Sequence, residues 1–105
     1  MKEQRKHVRI PGSATIALSW MEGGGPKSVQ STCIDVAAGG MRVDAPEQVP
    51  ASTNVTFSIP DADFEGGTAR VRYTTRNSER FIVGLEFTED TSRELFAYSH
   101  ESDAL

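Results

Sequence analysis

The stretch TARVRYTTRNSERFIVGLEF, residues 68–87, alternates apolar and polar residues on both sides of a polar connection, RNSE. A period of two is typical of a β-strand that buries one face. The faces expected to point inward carry Ala69, Val71 and Tyr73 in the first half and Phe81, Val83, Leu85 and Phe87 in the second. A short polar connection between two such runs predicts an antiparallel hairpin, in which Arg70 and Arg72 point outward.

The same alternation recurs along most of the chain. It covers ATIALSW (14–20), SVQSTCIDV (28–36), MRVDA (41–45) and NVTFSIP (54–60), and the glycine-rich EGGGPK (22–27) supplies a turn after the first of these. The period changes in DTSRELFAYSHES (90–102), which predicts a short helix capped by Asp90 or Thr91 and packed through Leu95, Phe96 and Tyr98. Many short strands with little helix predict an all-β fold, an antiparallel barrel that is closed or nearly closed.

Length and composition limit what the protein can be. A chain of 105 residues with a formal net charge of -4 is expected to form one domain. It has no run of the roughly 20 apolar residues that span a bilayer, so we expect a cytoplasmic protein without membrane insertion. Cys33, His7 and His100 offer neither an internal disulfide nor metal-ligand spacing, so the sequence predicts no metal and no cofactor.

The first nine residues are unusually basic for an acidic protein. Four of the 11 lysines and arginines lie there, two of them as the arginines of RKHVR, residues 5–9. Each guanidinium is a planar fork that fits a phosphate or the O6/N7 edge of guanine. The overall acidity argues against DNA binding, which needs a broad basic surface. The segment therefore predicts a small anionic ligand.

A second unusual stretch is DVAAGGMRV, residues 35–43. The Asp35 carboxylate has two acceptor oxygens and can pair with the two adjacent donors on the Watson–Crick edge of guanine. Gly39 and Gly40 within extended structure predict a bulge, a sharp turn or a surface that a ligand approaches closely. The alternative is that Asp35 and Arg9 form a surface ion pair of little consequence and that the glycines serve a turn.

Taken together, these motifs resemble a known family. RKHVR (5–9) has the form Arg-x-x-x-Arg, and DVAAGG (35–40), about 25 residues later, is similar to Asp-x-Ser-x-x-Gly. VGLEF (83–87) is similar to a strand near the end of that family's barrel. In this order and spacing, over nearly the whole chain, the sequence resembles the PilZ domain.

The resemblance implies a six- or seven-stranded antiparallel barrel with a short C-terminal helix that binds the bacterial second messenger cyclic di-GMP. It implies a single domain (1–105), in which a mobile N-terminal arm (1–12) wraps the ligand against the barrel (13–88) and the helix covers 90–100. The protein would be a receptor that transmits the signal to an unknown downstream protein partner by rearranging this arm.

The roles of the family's motif residues carry over to matching positions. Arg5 and Arg9 would hold phosphates and guanine edges, Asp35 would accept hydrogen bonds from guanine, and Gly40 would leave room for the ligand. Ala37 stands where the family pattern has serine, so one hydroxyl donor to the ligand is missing. Residues expected to have a secondary part are Gln4, Lys6, Gly39, Arg70 and Arg72. Many members have a further arginine in place of Gln4, which bears on whether one or two ligand molecules bind.

Two other functions stay open at this point. A PilZ-like module that binds no nucleotide would act as a protein-interaction part in motility or pilus assembly; Ala37 favours it, whereas the retained arginines, Asp35 and Gly40 favour nucleotide binding. A barrel for single-stranded nucleic acid would carry exposed aromatics among basic residues, but most aromatics here fall at predicted core positions. No nucleophile–base pair or phosphate loop is visible in the sequence, so no enzyme is expected.

Overall fold

The computed structural model describes residues 10–95 and shows a closed antiparallel barrel with the strand order β1-β2-β3-β6-β5-β4. The strands are β1 (Thr15–Glu22), β2 (Gly25–Ala37), β3 (Gly40–Ala45), β4 (Asn54–Ile59), β5 (Phe64–Asn77) and β6 (Arg80–Phe87). A 3-10 turn (Pro60–Ala62) lies between β4 and β5, and a short helix, α1, occupies residues 89–95. The predicted all-β fold, an antiparallel barrel with a short C-terminal helix, is confirmed, and the described barrel has six strands.

The barrel interior is filled by the apolar residues of the alternating strands. Residues with no solvent exposure include Ile16, Leu18, Val43, Ile59 and Val83. The Phe57 ring stacks on the Phe87 ring at 5.8 Å between centroids. Val49, after β3, and Leu95, in α1 after β6, are also buried. Because β3 and β6 are antiparallel neighbours, these two residues close opposite ends of the barrel.

Register shifts interrupt the regular alternation in three strand pairs, and the one between β4 and β5 lies between Phe57 and Ile59. The β2–β3 register shifts between Cys33 and Asp35, and the β5–β6 register shifts between Val71 and Tyr73. An extra residue in a strand reverses which face each following side chain occupies. The prediction that Tyr73 points inward with Val71 is therefore wrong, and the Tyr73 side chain is on the surface with 41% exposure.

The start of α1 also differs from the prediction. Thr88, rather than Asp90 or Thr91, caps the helix, since its Oγ1 accepts a hydrogen bond from the Thr91 backbone N–H at 3.3 Å. Thr91 is buried, and its Oγ1 accepts a hydrogen bond from the Thr68 backbone N–H at 2.8 Å. This contact ties α1 to β5. In residues 10–95, no helix is long and apolar enough to cross a membrane.

Candidate functional site

Four neighbouring strands place Asp35, Arg42, Gly84 and Tyr73 in one row on the outer surface of the barrel. Asp35 of β2 is paired with Arg42 of β3, Arg42 with Gly84 of β6, and Gly84 with Tyr73 of β5. Asp35 and Tyr73, the two ends of the row, are the residues that follow the register shifts of the β2–β3 and β5–β6 pairs. With strict alternation both side chains would turn toward the interior, so the bulges create the row.

Asp35 and Arg42 form an exposed ion pair with three short contacts. Arg42 Nη2 donates to Asp35 Oδ2 at 2.5 Å, and Arg42 Nε donates to Oδ1 at 3.1 Å and to Oδ2 at 3.2 Å. The side-chain hydrogen bonds from Arg42 lower the pKa of the Asp35 carboxyl below its ordinary value. Because the Asp35 side chain is 54% exposed and that of Arg42 is 48% exposed, both groups remain accessible to a ligand.

Tyr73 reaches across the row because residue 84 has no side chain. A Cβ atom at Gly84 would collide with the Tyr73 ring, so the glycine provides the space in which the ring lies. Hydrogen bonding and charge from Asp35 raise the pKa of the Arg42 guanidinium, and Tyr73 adds a smaller contribution in the same direction. The row therefore presents a partly exposed aromatic ring beside a positive and a negative group.

These residues line a surface depression of about 440 Å³, referred to below as the Asp35 depression. Its lining includes Asp35, Ala37, Gly39, Gly40 and Arg72, which the sequence predicted, and also Arg42 and Tyr73, which it did not. Asp35 and Ala37 are both exposed on the outer face of β2. Arg42 stands two residues after Gly40 in β3, so strict alternation places both residues on the same face of the strand. This position could have been predicted from the sequence. That of Tyr73 could not, because its outward direction depends on the bulge.

Gly40 has a role in the barrel itself. A Cβ atom at Gly40 would collide with the backbone carbonyl oxygen of Leu85, so the close pairing of β3 and β6 requires glycine whether or not a ligand binds. Gly39, in contrast, has no atom within 4 Å of its Cβ position. The turn between β2 and β3 is held by α1, since Ser92 Oγ donates to the Ala38 carbonyl oxygen at 2.7 Å.

The two outward arginines of β5 occupy different places. Arg72 lines the Asp35 depression, and its Nη1 donates to Glu86 Oε1 at 3.0 Å. Arg70 lies outside the depression, in an adjoining hollow of about 260 Å³ that Arg72 and Ser52 also line. The structure therefore brings Arg72 into the predicted site and leaves Arg70 beside it.

The N-terminal chain enters the barrel next to β2. The Ala14 carbonyl oxygen accepts a hydrogen bond from the Cys33 backbone N–H at 2.8 Å, close to Asp35 in the sequence. Ile10, the first described residue, packs partly against the core. The predicted residues that lie outside the described ones are Gln4, Arg5, Lys6, Arg9, Phe96 and Tyr98. The chain therefore joins the barrel at Cys33, two residues before Asp35 on β2.

A larger groove, of about 600 Å³, opens between β1 and β4. Trp20, Met21, Pro26 and Val55 make much of its lining apolar, and none of the described residues that line it is charged. An anionic ligand would find no ion-pair partner in this surface, which is referred to below as the Trp20 groove. The smaller Asp35 depression is therefore the better candidate for the predicted anion site.

A family model for the PilZ domain matches residues 3–100, nearly the whole chain. The chain belongs to the PilZ domain family. PilZ is a family of binding domains rather than of enzymes, and it is known for binding cyclic di-GMP. In this PilZ domain the matched range takes in both predicted motifs and the whole Asp35 depression. A search of curated proteins finds no match to the chain.

Proposed function

We propose that this PilZ domain is a receptor that binds cyclic di-GMP in the Asp35 depression. The observation that carries the proposal is the outer row of Asp35, Arg42 and Tyr73, which presents a carboxylate, a guanidinium and an aromatic ring side by side. Cyclic di-GMP contains two guanine bases and two phosphates. It can therefore engage hydrogen-bond acceptors, cations and an aromatic surface at once.

Each group in the depression matches a different part of the ligand. The Asp35 carboxylate accepts hydrogen bonds from the N1–H and N2–H donors of guanine. The Tyr73 ring stacks on a base, a contact of about 1–3 kcal/mol. Arg72 is available for a phosphate because its contact with Glu86 is an exposed ion pair, a kind that contributes about 0–1 kcal/mol.

The N-terminal segment completes the site. Arg5 and Arg9 hold the phosphates and the O6/N7 edge of guanine through bidentate hydrogen bonds. The entry of the chain beside β2 supports this assignment, since it places the start of the barrel close to Asp35. Ligand-dependent rearrangement of residues 1–12 then passes the signal to a downstream protein partner in the cytoplasm, without a chemical step.

Calorimetric titration with cyclic di-GMP tests this function. Arg5→Ala and Arg9→Ala should each weaken binding by at least about tenfold, because a hydrogen bond to a charged group contributes about 1.5–3 kcal/mol. Arg76→Ala removes the same charge from a side chain that lies over the Phe81 ring, away from the depression, and should change affinity by less than about twofold. If the two arm variants bind like the parent, the proposed site is wrong.

The arm has its own test by hydrogen exchange. Backbone amides of residues 1–9 should exchange rapidly in the free protein and more slowly when cyclic di-GMP is added, since the segment is polar and lacks periodic apolar residues. Equal protection in both states would contradict signalling through the arm.

A second candidate function is a nucleotide-independent interaction module in motility or pilus assembly. Ala37 favours it, because the exposed position beside Asp35 carries no hydroxyl for a ligand. The same titration separates the two functions. A parent protein that shows no heat of binding at millimolar cyclic di-GMP would support the interaction module.

A further inference from the structure

The Asp35 carboxylate is held in one orientation by a single neighbouring side chain. In residues 10–95, Arg42 is the side chain that hydrogen-bonds Asp35, and it does so through two nitrogens to both oxygens. Asp35 follows a bulge and its side chain is 54% exposed, so packing does little to fix its rotamer. The orientation of the carboxylate therefore depends on Arg42.

Arg42 is itself well placed for this task. It lies directly opposite Asp35 in the β2–β3 register, and it has Tyr73 on its other side, across Gly84. Its planar fork fixes the plane of a carboxylate, which the single ammonium of a lysine does not do.

The contacts leave room for a ligand. An ionised carboxylate has about four acceptor positions on its two oxygens, and Arg42 occupies those that face β3. We propose that Arg42 is a positioning residue for cyclic di-GMP: it aims the remaining acceptor positions of Asp35 at guanine and neutralises the carboxylate that an anionic ligand must approach. This inference rests on the proposed function.

The groups around Asp35 show that Arg42 is the residue that lowers its pKa. Among residues 10–95, the charged and titratable groups near Asp35 are Arg42 on β3, Cys33 on its own strand, Arg72 and Tyr73 on β5, and Glu86 on β6, the partner of Arg72. Arg72 and Glu86 pair with each other. The lowered pKa of Asp35 comes from Arg42. Removing that hydrogen bond must therefore raise the pKa, so the carboxylate would begin to protonate at a higher pH in Arg42→Met than in the parent.

The test compares the parent, Arg42→Met, Arg42→Lys, Asp35→Asn and the double variant Asp35→Asn/Arg42→Met by calorimetric titration with cyclic di-GMP. Arg42→Met should weaken binding by about tenfold, and Arg42→Lys should recover less than half of that loss in free energy, because lysine restores the charge but not the fork. The double variant should bind about as weakly as Asp35→Asn alone, since Arg42 acts through Asp35. Circular dichroism checks that each variant is folded.

An NMR titration of the Asp35 carboxyl carbon gives a readout that does not depend on the ligand. Its pKa should be higher in Arg42→Met than in the parent, and a pKa that does not move would overturn the proposal.

Three binding results would also overturn the proposal. If the parent binds, and binds more weakly after Arg9→Ala, but both Arg42 variants match the parent, the positioning role is wrong and the proposed function stands. If the losses in the double variant add, Arg42 contacts the ligand directly and does not act through Asp35. If the parent itself does not bind, the proposed function fails and the positioning role with it.

Discussion

The Asp35 depression and the Trp20 groove are both hollows on the outside of the same barrel, but they differ in chemistry. The groove is larger, at about 600 Å³ against about 440 Å³. The described residues that line the Trp20 groove include no charged side chain. The Asp35 depression contains the carboxylate of Asp35, the guanidinium groups of Arg42 and Arg72, and the aromatic ring of Tyr73. The comparison shows that size alone does not identify the site of an anionic ligand.

The difference has a structural origin in the strands beneath each hollow. Beside the groove, β1 and β2 pair without a shift from residue 15 to residue 22, and the shift between β4 and β5 lies past Phe57, outside the groove lining. Beside the depression, bulges in β2 and β5 turn Asp35 and Tyr73 outward onto the row that contains Arg42. A bulge that re-aims a side chain is a common feature next to functional sites. Four predictions test whether the two hollows differ in function as they do in structure.

The largest effect is expected from the backbone under the depression. Gly40→Ala should lower the free energy of unfolding by about 2–4 kcal/mol, because the new Cβ would collide with the Leu85 carbonyl oxygen and force β3 away from β6. Gly39→Ala is the control and should cost less than about 0.5 kcal/mol, since its Cβ position is open. Urea unfolding measures both. Equal stability of the two variants would mean that Gly40 serves only the ligand.

A smaller effect, on binding rather than folding, is expected from Tyr73→Ala. Loss of a ring that stacks on a base should weaken cyclic di-GMP binding by about 5- to 150-fold, which corresponds to about 1–3 kcal/mol. Tyr73→Phe keeps the ring and should retain most of the affinity. Titration calorimetry of the parent, Tyr73→Ala and Tyr73→Phe measures the three affinities. Tighter binding by Tyr73→Ala would show that the ring obstructs the depression instead of forming part of the site.

The sequence could predict the regular parts of this molecule better than the irregular ones. Alternation between residues 68 and 87 correctly places Val71, Val83 and Leu85 inside the barrel. It fails at Tyr73, because a bulge adds one residue and no local pattern marks where it occurs. Asp35 could be selected for its chemistry alone, and alternation from Gly40 places Arg42 on the same face as that glycine, but the contact between Asp35 and Arg42 becomes evident only from the pairing of β2 with β3.

Ala37→Ser would add a hydrogen-bond donor to the Asp35 depression. If the nucleotide lies over Asp35 and Ala37, the hydroxyl should raise affinity by about two- to tenfold, the value of one neutral hydrogen bond. In an Arg9→Ala background the gain should shrink if both residues hold the same ligand. Ala51→Ser, at an exposed position in the connection between β3 and β4, is the matched control and should change nothing. An unchanged affinity for Ala37→Ser would place the ligand elsewhere.

The smallest effect is expected in the Trp20 groove, where Met21→Ala makes the same kind of truncation as Tyr73→Ala. Met21 is 66% exposed, so its loss removes little buried surface and should change the free energy of unfolding by less than about 0.5 kcal/mol. Affinity for cyclic di-GMP should stay within about twofold of the parent, because the groove offers the phosphates no cation. Titration calorimetry and urea unfolding measure the two quantities. A loss of affinity at unchanged stability would mean that the ligand contacts the groove, and the functional distinction between the two hollows would fail.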